Sequence, residues 1–183
     1  MKTDELITVL STNVEPIDRR QLSREIVAAV ILGTVVAIGT ALALPGMRMD
    51  LGAPNALTYF CAKIIFATVI VIAGTAYLLR LARPGSVSST HAAPVTWPPL
   101  VVAALAAASL VSAPLWHWHT MAMGDRWLEC LVSIPLIAVV PFVAVVWAVR
   151  RMAPTDLIRT GALAGFVAGG ISAAGYALHC TDD

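Results

Sequence analysis

Five apolar stretches, each about as long as a membrane is thick, limit what this chain can fold into. They cover about residues 25–44, 56–79, 98–116, 128–149 and 158–178. A helix needs roughly 20 apolar residues to cross about 30 Å of hydrocarbon. Inside that layer each backbone amide must be paired within its own segment, so the stretches are predicted to be helices rather than strands. The fold class is therefore all-α, a polytopic transmembrane helical bundle with five spans.

Composition excludes most other classes of protein. Hydrophobic residues make up 58% of the chain and charged residues 13%, whereas soluble domains have about 45–50% and about 25%. A soluble domain of 183 residues could not bury that much apolar surface behind a polar exterior. The net charge of +1 offers no basic surface, so direct binding of nucleic acid is not expected. The partner that the composition requires is the lipid bilayer.

The distribution of Lys and Arg sets the predicted orientation. With a cytoplasmic N-terminus, nine of the 12 basic residues lie on the cytoplasmic side, two lie outside, and Lys63 lies within a span. The cytoplasmic set is Lys2, Arg19, Arg20, Arg24, Arg80, Arg83, Arg150, Arg151 and Arg159, and the outer pair is Arg48 and Arg126. Because cytoplasmic loops carry the excess of basic residues, we expect the N-terminus inside and residues 179–183 outside.

The chain divides into a cytoplasmic segment, residues 1–24, and a transmembrane domain, residues 25–183. A short amphipathic helix is predicted in the first part, with an apolar stripe formed by Leu6, Ile7 and Leu10. Alone, a helix this short is marginal in water. It is therefore either a frayed tail or membrane-surface helix, or a helix that folds onto an apolar groove of a cytosolic protein.

Lys63 lies inside the second span. A basic residue at the bilayer centre costs about 2.5–3.5 kcal/mol on insertion scales. Two interpretations remain open. Lys63 either extends along its alkyl stem to the outer interface, or pairs with Glu129, which the topology places at a similar depth.

The three cysteines all fall near the outer face in this topology. Cys130 begins the fourth span, Cys180 follows the fifth, and Cys61 lies near the outer end of the second. None belongs to a C-x-x-C pair, which argues against a thiol oxidoreductase. Cys130 and Cys180 would form a disulfide in an oxidising space, or the thiolates and imidazoles such as His179 would bind a soft metal ion. In the third interpretation the cysteines pack as small apolar residues.

Small residues and prolines predict how the helices pack. A ridge at i+4 spacing in the fifth span consists of Gly161, Gly165 and Gly169, and a weaker stripe in the first span consists of Gly33, Ala37 and Ala41. Such patterns allow a neighbouring helix to approach closely. In the fourth span, Pro135 and Pro141 each remove an amide donor, which predicts a kink or break.

Four segments together resemble a known family. They are MKTDELI at 1–7, RLARPG at 80–85, CLVSIP at 130–135 with Pro141, and YALHC at 176–180. Their order and spacing resemble the bacterial inner-membrane anti-sigma factors of the "negative regulator of sigma F" type. The similarity runs over nearly the whole chain.

The resemblance implies a six-helix protein that holds an extracytoplasmic-function sigma factor at the membrane and has no enzymatic activity. The sigma factor would dock on Leu6, Ile7 and Leu10. Family members are thought to sense heavy-metal or oxidative stress through two cysteines, which by motif are Cys130 and Cys180 here. This sequence stops at Asp183, where the family continues into a sixth helix.

Other functions are compatible with the same spans. A small transporter component would need polar residues facing a path through several spans, and Lys63 is nearly alone there. A structural membrane subunit with a metal or thiol site at its outer face requires nothing that the sequence lacks.

Overall fold

The structure, a computed structural model, describes residues 19–43, 56–81, 93–119, 127–154 and 156–180, together with Thr3, Glu5, Thr12 and Gly124. This part of the chain is all-α and contains no strand. Its long helices are α1 (Arg19–Ala43), α2 (Ala56–Leu81), α3 (Ala93–Ser112), α4 (Trp127–Arg150) and α5 (Leu157–Ala177). Each is long and apolar enough to cross a membrane. The predicted fold class and the five helical stretches are confirmed.

The helix ends differ from the prediction at three places. α1 begins at Arg19, so the helix extends into the segment assigned to residues 1–24. α3 begins at Ala93, five residues before the predicted start of the third span at residue 98. α3 also ends before residue 116, because Pro114 lacks an N–H and disfavours helical backbone in the residue before it. A short 3₁₀ turn, Leu115–His117, follows that proline.

α4 passes through both of its prolines without a break. It is helical from Trp127 to Arg150 with Pro135 and Pro141 inside, so the break does not occur, and the kink stays a prediction. Each proline removes one backbone hydrogen bond, and the remaining bonds keep the helix continuous. Pro141 is among the fully buried residues of the bundle, and it faces α1.

α5 is the central helix of the described bundle. It packs along α2, α4 and α1, while α1 and α4 also pack against each other. α3 contacts mainly α2, and most of its side chains are exposed. The buried core therefore lies where α1, α2, α4 and α5 meet. Its largest fully buried aliphatic side chains are Ile26, Leu78, Val145, Val167 and Ile171.

The small-residue stripe of α1 forms the close helix contacts that the sequence predicts. A Cβ placed on Gly33 would lie 3.0 Å from the Pro141 Cα and 3.1 Å from its Cβ. Ala37 and Ala41 are fully buried. Ala37 meets α5, where a Cβ on Gly175 would lie 3.1 Å from the Ala37 carbonyl oxygen. α1 therefore packs so closely against α4 and α5 that no side chain separates the helix backbones at Gly33 and at Gly175.

The predicted ridge of α5 does not make such contacts, and that part of the prediction is wrong. Within the described residues, nothing lies within 4 Å of a Cβ placed on Gly161 or Gly169, and Gly165 meets only Phe142 at 3.8 Å. These glycines line two apolar grooves between α4 and α5, of about 350 and 370 Å³. The close approach to α2 uses another face of α5, where a Cβ on Gly170 would lie 2.8 Å from the Ile70 Cγ2.

The two ends of the bundle differ in chemistry. At the end where α1 begins, which we name the arginine end, Arg151 Nη1 lies 3.3 Å from Glu25 Oε2. The same guanidinium stands 4.0 Å from the ring centroid of Trp147. These contacts join the start of α1 to the end of α4. The opposite end, where α4 begins and α5 ends, carries Cys130 and Cys180 and is named the cysteine end.

Candidate sensing site at the cysteine end

Tyr176 is the residue around which the cysteine end is built. It lies in the last turn of α5 and is only 3% exposed. After Ala177 the chain leaves the helix in a tight turn, in which the amides of His179 and Cys180 both donate to the Tyr176 carbonyl, at 2.9 and 3.0 Å. This turn holds Cys180 close to the helix end, in the buried core. Tyr176 and Cys180 therefore share one side of the terminal turn.

α4 supplies the other half of the site from its first turn. Glu129 and Cys130 directly follow the start of α4 at Trp127, and Cys130 is half-buried against the core. The Cys130 thiol lies beside the Tyr176 hydroxyl, and the Cys180 thiol and the Glu129 carboxylate are close enough to interact with that hydroxyl electrostatically. Two helices thus bring two thiols and a carboxylate around one phenol.

The structure brings together the two cysteines that the sequence singled out. Cys61, Cys130 and Cys180 all carry thiols rather than disulfides in this structure. Cys61 differs from the other two because it is exposed on α2. The cysteine-end site therefore contains one thiol from α4 and one from the end of α5.

His179 lies against the same tyrosine. Its ring centroid is 5.9 Å from that of Tyr176, in an edge-to-face arrangement. Within the part of the chain that the structure describes, no three His, Cys, Asp or Glu side chains are grouped closely enough to hold one metal ion. The site as it stands is a pair of thiols with an aromatic neighbour.

The Tyr176 hydroxyl is the feature that sequence reasoning missed. Its oxygen is buried, with the Cys130 thiol beside it. An aromatic residue near the end of a span is usually an interfacial anchor. A buried tyrosine at such a position therefore cannot be recognised from the sequence. Helical spacing gave no signal, because α5 ends at Ala177 and its periodicity does not extend to Cys180.

The predicted docking stripe lies outside the described residues. This stripe consists of Leu6, Ile7 and Leu10. Before Arg19 the structure describes only Thr3, Glu5 and Thr12, and each of these three residues is helical and exposed. The alternatives for this segment stay predictions. Lys63 is half-buried on α2, and both of its interpretations also stay open.

Comparison with known proteins adds the family. The family model described as "Negative regulator of sigma F" matches residues 10–183. The chain is 32% identical over 182 residues to the "Probable anti-sigma-F factor NrsF" of Azospira oryzae, with 100% of this chain and 85% of the relative covered. It is 31% identical over 189 residues to the "Anti-sigma-F factor NrsF" of Caulobacter vibrioides, covering 100% and 86%.

No solved structure matches this chain. The family assignment therefore rests on sequence, and it agrees with the resemblance carried by the four segments from residue 1 to residue 180. Because the family model and both relatives extend over nearly all of the chain, the similarity includes the helices that carry both cysteines of the site. The chain belongs to the negative regulator of sigma F family.

Proposed function

We propose that this chain is an anti-sigma factor of the bacterial inner membrane with its N-terminus in the cytoplasm. It binds an extracytoplasmic-function sigma factor through residues 1–24 and releases it when heavy-metal or oxidative stress acts on the cysteine end. Its role is regulatory rather than enzymatic. Family membership supports the anti-sigma function. The observation that supports the sensing part is that Tyr176 and Cys180 belong to one buried core cluster, against which Cys130 packs.

The N-terminal segment is the proposed docking element. An apolar stripe of Leu6, Ile7 and Leu10 suits the groove of a partner protein, in the way amphipathic helices usually bind. The segment leads directly into α1, which begins at Arg19. A bound sigma factor would therefore be tethered to the first helix of the bundle and kept from RNA polymerase.

The cysteine end is the proposed sensor. Thiolates and imidazole together favour soft metal ions, and Cys130, Cys180 and His179 supply that set. Two thiols also permit oxidation to a disulfide if their Cα atoms come within about 7 Å. A metal ion bound by all three side chains requires them to move, because no three such groups in the described residues are placed to hold an ion now. The signal would therefore be linked to a rearrangement.

The packing of α5 offers a route from the sensor to the docking element. Gly175 directly precedes Tyr176 and meets the Ala37 backbone of α1. At its other end α1 is fixed to α4 through the ion pair of Glu25 and Arg151. A shift of the last turn of α5 would press on α1, because there is no room between Gly175 and Ala37 to absorb it.

The energy that such a switch needs sets a requirement on the signal. Moving a population from 1:99 to 99:1 takes about 5.5 kcal/mol of difference in binding between the two arrangements. A ligand that bound both arrangements equally would shift nothing. A soft metal ion bound by two thiolates, or a disulfide, would be more stable in one arrangement than in the other. Either one would therefore supply the difference in free energy that the switch requires.

Capture from membranes tests the anti-sigma function. Membranes with the full chain and membranes with a chain lacking residues 2–16 would be cross-linked, and the co-purifying proteins identified. We expect a sigma factor only with the full chain, because only that chain carries the docking stripe. Recovery of no sigma factor with either chain would overturn the proposal, and equal recovery with both would move the contact away from residues 2–16.

Cysteine variants test the sensing function separately. We expect Cys130→Ser and Cys180→Ser to abolish the transcriptional response to cadmium or peroxide while sigma-factor capture is retained. The matched control is Cys61→Ser, which removes an exposed thiol of α2 and should respond as the wild type does. A Cys130→Ser chain with a normal response would contradict the sensing role but leave the docking role standing.

A further inference from the structure

The groove between α4 and α5 that lies nearer the arginine end takes no part in the proposed sensing or docking. Its volume is about 350 Å³, within the range of about 300–1,000 Å³ that small-molecule sites occupy. Gly161 keeps it open, because nothing among the described residues lies within 4 Å of a Cβ placed there. Val146, Val149, Leu157 and Ala164 make most of its lining apolar.

Two of the lining side chains are polar, and they differ in what they offer a ligand. The hydroxyl of Thr160 donates to the Asp156 carbonyl oxygen, and Thr160 is buried. Arg150 is exposed at the end of α4, and its guanidinium carries five N–H donors. A ligand of this groove would therefore combine an apolar body with a group that accepts hydrogen bonds from a cation.

The charges around Arg150 favour an anion. Within the described residues, Glu25 pairs with Arg151 and Asp156 pairs with Arg159, each at 3.3 Å. No acidic side chain of these described residues forms an ion pair with Arg150. Residues 150–159 contain three basic residues and one acidic residue, so this end of the groove is positive. An anionic group placed on Arg150 would be complementary to it.

The direction of the groove fits a lipid. Arg150 is the last residue of α4, a helix long and apolar enough to cross a membrane, so it lies where the lipid headgroups begin. Val146 is four residues from Arg150 and therefore lies on the same face of α4, one turn deeper. On α5, which begins at Leu157, Gly161 and Ala164 are likewise deeper. The groove thus runs from the headgroup region into the hydrocarbon, as an acyl chain does.

We propose that this groove binds one anionic phospholipid, with its phosphate on the Arg150 guanidinium and an acyl chain beside Val146 and Gly161. Basic pockets between transmembrane helices bind the headgroups of anionic lipids. The planar guanidinium suits a phosphate because it donates two parallel hydrogen bonds. The inference goes beyond the proposed function and shares with it only the location in a membrane. A lipid in contact with both helices would stabilise their packing at the arginine end.

Native mass spectrometry of the full chain in mild detergent tests the headgroup contact. The chain is titrated with phosphatidylglycerol, which is anionic, or with phosphatidylcholine of the same acyl chains, which has no net charge. We expect tighter binding of phosphatidylglycerol. Arg150→Gln should weaken that binding about fivefold, the contribution of one basic residue near an anionic lipid surface, and leave phosphatidylcholine binding unchanged. The matched control is Arg80→Gln, an equal loss of charge at an exposed arginine of α2 at the same end, which should bind as the wild type does.

Gly161→Leu tests the acyl-chain contact. Its side chain would fill the groove, with no described residue within 4 Å of its Cβ, and should weaken the binding of both lipids. Gly39→Leu adds the same side chain to α1 at a position where the Cβ is equally clear of the described residues, and it should not weaken binding.

Three results would overturn the inference. They are equal affinity of the wild type for the two lipids, unchanged phosphatidylglycerol binding in Arg150→Gln or in Gly161→Leu, and displacement of phosphatidylglycerol by millimolar inorganic phosphate. Displacement by phosphate would show that the site recognises an anion alone. Sigma-factor capture reports on the proposed function independently, and Arg150→Gln should retain it.

Discussion

Gly33→Ala should separate α1 from α4 and lower the stability of the bundle. An added Cβ would lie 3.0 Å from the Pro141 Cα and 3.1 Å from its Cβ. Non-bonded carbon atoms prefer about 3.5–4.0 Å, so the helices must move apart by about half an ångström. Pro141 is fully buried, and its ring and backbone are rigid. Neither partner can therefore turn aside to make room.

The magnitude follows from two opposing effects. Overpacking a tight contact costs about 1–3 kcal/mol. Alanine is favoured over glycine within a helix by about 0.8–1.0 kcal/mol, which offsets part of that cost. We expect Gly33→Ala to lower the free energy of unfolding by about 0–2 kcal/mol, and by about 1–3 kcal/mol relative to an alanine at an uncrowded glycine of the same helix.

Gly39→Ala on the same helix isolates the contact. Among the described residues, nothing lies within 4 Å of a Cβ placed there, so only the helix preference remains and stability should be equal or slightly higher. Reversible unfolding in mixed micelles of dodecyl sulfate and a mild detergent, followed by circular dichroism, measures both variants. If Gly33→Ala were as stable as Gly39→Ala, the close packing of α1 on Pro141 would be refuted.

Three further changes test the packing elsewhere, each by the same unfolding measurement. Gly170→Ala should destabilise the bundle by about 1–2 kcal/mol, since its Cβ would lie 2.8 Å from a methyl of α2, whereas Gly169→Ala should not. Asp156→Ala should cost about 1 kcal/mol, because the Asp156 side chain accepts from the Arg159 amide at 3.0 Å as the N-cap of α5. A double-mutant cycle on Glu25 and Arg151 should give a coupling below about 1 kcal/mol that falls with added salt, because the pair is partly exposed.

The helices could be predicted from the sequence because the bilayer imposes their length. The five predicted apolar stretches correspond to five helices in the structure, and the differences are confined to the helix ends. The end of α3 near Pro114 has a local cause in the proline ring. The start of α1 at Arg19 could not be predicted from hydropathy. The change in hydropathy near residue 25 marks where the membrane begins, and the helix continues before it because Arg and Gln are good helix formers.

The packing faces could be predicted only in part. α1 offers a single small-residue stripe, and Gly33 and Ala37 do make the close contacts. α5 offers small residues on more than one face, so spacing alone cannot select between them. The selection depends on the neighbour, because Ile70 of α2 presses its branched side chain onto Gly170, while Gly165 borders an open groove.

The candidate site could also be predicted only in part. Topology was sufficient to predict that Cys130 and Cys180 share one end, because alternate helices run in opposite directions. It could not show that Tyr176 would be buried, since that depends on how the start of α4 covers the last turn of α5. The burial of its hydroxyl is a property of three-dimensional packing, and no pattern of residue types predicts it.

The position of the Cys180 thiol just beyond the end of the central helix matters for the proposed mechanism. α5 packs along α1, α2 and α4, whereas α3 contacts mainly α2. A displacement at the end of α5 therefore acts on three helices, of which α1 is the one that continues toward residues 1–24. The same displacement on α3 would move few other residues of the described bundle, because most side chains of α3 are exposed. The proposed sensor at the end of α5 is thus placed where a small local change can reach the proposed docking segment.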